Sequence, residues 1–105
     1  MSYAFYYDVP GDERVYEQVK SEIGVEHPAG LVVQVVSKRP EGGLRHFSVW
    51  DSKDEWERFL SDRVEPSVAA VLATMGITDP PPRPHEHEID VIDVVTARPV
   101  SVDSN

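Results

Sequence analysis

The sequence predicts an α+β fold, with elements ordered strand, helix, strand, strand, helix, strand. Three observations predict it. Four short runs are rich in aromatic or β-branched residues: Tyr3–Val9, Leu31–Val36, Leu44–Trp50 and Glu88–Thr96. Two longer stretches carry apolar residues at three- and four-residue spacing, which lays one stripe along a helix. Turn residues separate the runs, as at Pro10-Gly11 and Arg39-Pro40-Glu41-Gly42-Gly43.

Taken in order, the aromatic run Tyr3 to Val9 is a strand ended by Pro10-Gly11. From Asp12 to Ile23, Val15, Tyr16, Val19 and Ile23 form one stripe, acids open the segment, Lys20 lies near its end and Gly24 stops it. Leu31 to Val36 and Leu44 to Trp50 flank the Arg39–Gly43 turn and read as a β-hairpin. Ser52 stands three residues before Glu55, the spacing of a capping box, and Trp56, Phe59 and Leu60 form the apolar face of the helix that follows. Pro66 has no N–H to donate, so this helix is expected to kink or restart near Glu65. A second piece runs through Val68, Val71, Leu72 and Met75 to Gly76. The proline-rich stretch Pro80–Pro84 leads to a last strand over Glu88–Thr96. Residues 1–97 are expected to form the domain and 98–105 a polar tail.

Composition limits the function. The 105 residues are enough for one domain, and folding at this size buries roughly 60–70% of the unfolded surface. A net charge of −9, with ten basic residues scattered among nineteen acids, argues against nucleic acid and anionic membrane as partners. There is no cysteine, hence no disulfide, thiolate metal site or cysteine nucleophile. The N-terminal residues lack the basic and apolar regions of a signal peptide, so a cytoplasmic location is expected.

The element order is that of the split βαβ, or ferredoxin-like, plan: a four-stranded antiparallel sheet with the helices on one face. A sheet with one wet face alternates apolar and polar residues. Here the second strand has Leu31, Val33 and Val35 on one side and Val32 and Val36 on the other, and the last has Ile89, Val91 and Val95 against Ile92 and Val94. Two apolar faces need two covers. One is the helices, and the other is most simply a second copy of the chain, giving a homodimer through the sheet face.

Several segments carry a resemblance: His27-Pro28-Ala29-Gly30-Leu31, Gly42-Gly43-Leu44-Arg45, Val49-Trp50-Asp51-Ser52 running into Trp56-Glu57-Arg58-Phe59, and Pro66. Over roughly residues 3–96 the chain resembles the dimeric α+β barrel superfamily and, within it, antibiotic-biosynthesis-monooxygenase-like proteins. The resemblance implies an α+β barrel dimer and, among the superfamily's activities, a cofactor-independent monooxygenase or isomerase. Many such proteins carry a histidine about nine residues after the strand-end aromatic, where this chain has Phe59. Close relatives tend to have a histidine in the second strand, where this chain has Gln34.

His46, Ser48 and Trp50 alternate onto one face of the third strand. If that face looks toward the helices, His46 is the acid/base candidate, and Trp50, Ser48, Tyr6, Gln34 and Phe59 are the candidates to line a pocket for a small apolar or aromatic molecule. The same residues also fit plain core packing, and a non-catalytic dimeric module, stress-related or accessory to an enzyme, is the alternative. No cofactor is expected. His85 and His87 would share a strand face, but no third metal ligand is recognisable, so no metal is expected either.

Overall fold

The computed structural model describes residues 2–24, 26–79 and 82–96. Strand β1 (Tyr3–Val9) leads to helix α1 (Glu13–Ile23), the hairpin β2 (Leu31–Lys38) and β3 (Leu44–Trp50), helix α2 (Lys53–Phe59), a π-helical turn at Leu60–Val64, helix α3 (Glu65–Thr74) and strand β4 (His87–Ile89). The four strands form one antiparallel sheet in the order β2-β3-β1-β4. Both helical segments lie on one face, as the split βαβ plan requires. The expected tail, 98–105, and the domain boundary at 97 lie outside the described residues.

Local chemistry sets the helix ends. Asp12 caps α1, its carboxylate accepting from the N–H groups of Arg14 at 3.0 Å and Val15 at 3.2 Å. The stripe Val15, Tyr16, Val19 and Ile23 turns inward and is half-buried. Ser52 caps α2 by accepting from the Glu55 N–H at 3.2 Å, and its hydroxyl donates to Glu55 Oε1 at 3.2 Å. This is half of the expected capping box, with the return bond made to the hydroxyl. The break expected at Pro66 is the π-helical turn Leu60–Val64. Its wider spacing lets the chain continue as α3 although Pro66, in the first turn of α3, supplies no N–H.

Two expectations about the strands are corrected. Leu31 faces Trp50 across the hairpin, but Val33 faces Val49, so β2 carries a bulge at Val32. One extra residue exchanges the faces: Leu31, Gln34 and Val36 share the helix side with Trp50, Ser48 and His46, while Val33 and Val35 share the open side with Val49 and Phe47. The last strand is only His87–Ile89, not Glu88–Thr96. Beyond it Asp90 and Asp93 interrupt the apolar run, which has no neighbouring strand to pair with among the described residues, and Ile92 (98% exposed) and Val95 (82%) stand in solvent.

The core lies on the helix side. Tyr3, Phe5, Trp50, Trp56 and Leu60 form its buried centre, with Tyr7, Leu31, Phe59 and Val64 packed around it. The open face presents Val35, half exposed, beside Val33, Phe47 and Tyr6. No helix among the described residues is long and apolar enough to cross a membrane.

Candidate functional site

Register places the site. Tyr3 pairs with Trp50, Phe5 with Ser48 and Tyr7 with His46, so six side chains of β1 and β3 leave the sheet on its helix side. Trp56 of α2 lies across them, its ring 4.7 Å from Phe5 and 5.5 Å from Trp50, and Phe59 closes the Trp50 end at 5.4 Å. These tilted rings make an aromatic layer between sheet and helices.

At one end of the layer His46 stacks on Tyr7, ring centroids 5.0 Å apart and 11° from parallel. Tyr16 of α1 meets the imidazole edge-on at 5.6 Å. His46 Nδ1 is buried and has no hydrogen-bond partner among the described residues. Burial disfavours the imidazolium and holds the His46 pKa below its ordinary value of 6.5. The same burial, with the charge of Glu86 adding to it, pushes the Tyr7 phenol up to about 12. At pH 7 this end therefore offers a neutral imidazole beside a protonated phenol.

At the other end Trp50 is 2% exposed, and its indole N–H also has no acceptor among the described residues. Its neighbour Trp56 does have one, donating to Glu86 Oε2 at 3.0 Å. Glu86 Oε1 accepts from the Tyr3 hydroxyl at 2.8 Å, and Arg83 donates to Oε2 at 2.6 Å and to Glu57 at 3.0 Å. Burial opposes ionisation of Glu86, but the bonds from Arg83, Trp56 and Tyr3 outweigh it and hold the carboxyl below its usual range. Burial and then the Glu86 bond raise the Tyr3 phenol well above its ordinary value.

The residues singled out in the sequence are thus divided. His46, Ser48, Trp50 and Phe59 come together in the layer. Gln34 is on the same side, opposite Ser48, but exposed near the edge of the sheet. Tyr6 belongs to the open face and does not reach His46; it pairs with Phe47, stacks on His87 at 4.7 Å and lies under the Arg45 guanidinium at 4.5 Å. The physical reason is strand alternation, since Tyr6 and Tyr7 point to opposite faces. Among the described residues no three His, Cys, Asp or Glu side chains are grouped to hold a metal, and His85 and His87 meet edge to face at 4.6 Å.

Tyr16, Trp56 and Glu86 were not among the sequence candidates. For Glu86 a signal existed: alternation through His85-Glu86-His87 puts the glutamate on the face opposite the two imidazoles, which is the helix side once β4 pairs with β1. Two surface depressions, of about 370 Å³ at Ser2 and Val91–Val94 and about 260 Å³ between α1 and the β2–β3 hairpin, are open to solvent, and neither is lined by His46, Trp50 or Trp56. Rings fill the layer.

No family model matches the chain, and no curated protein does. A solved structure from Chloroflexus aurantiacus J-10-fl, provisionally described as an antibiotic biosynthesis monooxygenase, is similar over 91% of this chain and 98% of its own. The identity is 21% and the TM-score 0.55. The likeness shows that this chain shares the ferredoxin-like α+β fold of that structure.

Proposed function

We propose that the protein is a homodimeric α+β barrel whose aromatic layer takes a small planar molecule and oxidises it without a cofactor. The observation that carries this reading is the pair of buried nitrogens, His46 Nδ1 and Trp50 Nε1, left without partners in a layer otherwise made of rings. Buried polar atoms are paired in the large majority of cases, so two orphans in one layer point to a ligand that pairs them. The description of the Chloroflexus protein points the same way.

In this reading His46 is the general base. Neutral at pH 7, it takes a proton from an activated methylene of a bound anthrone. The anthrone carbanion then reduces dioxygen. One oxygen atom ends in the new carbonyl and the other leaves as water, so one methylene and one dioxygen give one carbonyl and one water. The substrate supplies every electron. Trp50 and Phe59 hold the rings by stacking.

The second copy covers the open face. Val35 and Ile89 are exposed there, and Ile92 and Val95 stand in solvent just beyond β4. A partner sheet packed on this face removes that apolar area from water.

The filled layer favours a second reading, a non-catalytic dimeric module whose layer is simply its own core. Oxygen uptake with a panel of anthrones and naphthoquinols separates the two. The first reading predicts uptake that falls at least tenfold in His46→Ala. Unchanged uptake in that variant removes His46 from the mechanism, and no uptake by the native chain supports the second reading.

A further inference from the structure

Three buried side chains that carry hydrogen-bond donors adjoin at the Trp50 end of the layer. Tyr3 and Trp50 are direct partners across β1 and β3, and the Trp56 ring lies 5.5 Å from that of Trp50. All three residues are buried. An indole N–H only donates, and the Tyr3 hydroxyl donates here, so the set calls for an acceptor and suits an anion best. Two of the donors are taken by one carboxylate, Glu86, through the Tyr3 hydroxyl at 2.8 Å and the Trp56 N–H at 3.0 Å. The third, Trp50 Nε1, has none among the described residues.

Glu86 differs from its partners in how it is held. Tyr3 and Trp50 stand on the two central strands and Trp56 on α2, but Glu86 arrives on the irregular segment 82–86, before a strand of three residues at the sheet edge. The residues flanking it, His85 and His87, are exposed. Arg83 also bonds Glu57 on α2, so its guanidinium keeps a carboxylate partner if Glu86 moves.

We propose that Glu86 is a built-in occupant of a carboxylate-binding site, and that an aromatic monocarboxylate displaces it. The carboxylate of the ligand takes the Tyr3 hydroxyl and the Trp56 N–H and, not tethered to the backbone as Glu86 is, tilts to accept from the Trp50 N–H as well. Its ring enters among Phe5, Trp50 and Phe59 as Trp56 shifts. This rests on the planar-ligand reading above and adds the charge that the ligand carries. One carboxylate replaces another on the Tyr3 and Trp56 donors, while the bond from Arg83 to Glu86 is given up and Arg83 keeps Glu57. The net gain comes from ring burial and from pairing a donor that the free protein leaves alone. A neutral analogue leaves charge-assisted bonds unmade and is refused.

The test is calorimetric titration of the full chain with 2-naphthoate and with its methyl ester, in the native sequence and in Glu86→Ala. Removing the occupant should tighten 2-naphthoate at least tenfold and the ester much less. Adding Tyr3→Phe to Glu86→Ala should take back a factor of five or more. Equal 2-naphthoate affinity with and without Glu86, or ester binding as tight as that of the acid, overturns the carboxylate site while the planar-ligand reading stands. Binding of neither probe by either protein overturns both. Should Glu86→Ala fail to fold, the isosteric Glu86→Gln carries the same comparison, with a smaller tightening expected and equal affinity again decisive.

Discussion

Trp56 donates its indole N–H to the carboxylate of Glu86 at 3.0 Å, tying the middle of α2 to the segment that enters the last strand. The same carboxylate holds the Tyr3 hydroxyl, so one side chain, 12% exposed, joins helix, first strand and edge strand. Replacing it with alanine leaves two buried donors without an acceptor. Hydrogen bonds to charged groups are worth about 1.5–3 kcal/mol each, and partial rehydration reduces the sum, so Glu86→Ala is expected to cost about 2–3 kcal/mol. Urea unfolding checks this, and Glu86→Gln should lose less. A destabilised Glu86→Ala that nonetheless binds 2-naphthoate more tightly distinguishes an occupied site from a merely structural bond.

His46 gives the protein a pH signature. Its folded pKa lies below 6.5, so as pH falls through 6.5 the unfolded chain takes up a proton that the folded chain still refuses. The unfolded state then binds more protons, and stability drops with falling pH. Above pH 7 both states are neutral at this residue and the contribution is flat. Urea midpoints between pH 5 and 7 should fall more steeply in the native chain than in His46→Ala. Parallel curves would mean that the imidazole is not withheld from water.

The hairpin turn depends on one glycine more than on its neighbour. Gly43 has φ +81°, and a Cβ there would run into the backbone carbonyl of Val9, whereas one on Gly42 would meet nothing. Gly43→Ala is expected to lose about 2–4 kcal/mol, combining the left-handed penalty with a backbone clash. Gly42→Ala, also at positive φ, should lose about 1 kcal/mol. Thermal unfolding of the two variants checks the order.

The dimer proposal concerns the open face alone. Val35→Glu puts a charge where the second sheet would pack and leaves the helix-side layer untouched. Light scattering at micromolar concentration should give a dimer for the native chain and a monomer for the variant. A native monomer contradicts the proposal.

Much of the fold was legible because its signals are local. Asp12 and Ser52 cap their helices, Arg39–Gly43 makes the turn, and the missing N–H of Pro66 interrupts the second helix, each within a few residues of its effect. The errors share a different origin. The bulge at Val32 adds one residue without altering composition, so strict alternation put Val33 and Val35 on the side of Leu31 and Val36 on the other. The run Ile89–Val95 has strand chemistry along its length, but a strand also needs a neighbour, and β1 offers pairing only to His87–Ile89. Within the candidate site, His46, Ser48 and Trp50 follow from period two alone. The placement of Tyr7 rather than Tyr6 beside His46 depends on register between β1 and β3. Glu86 is thirty positions from Trp56 and further from Tyr3, and such pairing has no local signature.

The layer as a ligand site is tested most directly through its two indole N–H groups, since the chain has only two tryptophans. In a nitrogen-15 correlation spectrum, with Trp56→Phe assigning the pair, 1,8-dihydroxyanthrone should shift and broaden the Trp50 indole signal saturably, together with the imidazole signals of His46. Saturable binding that leaves the Trp50 and His46 signals unmoved, or no binding at all, would contradict a ligand site between sheet and helices.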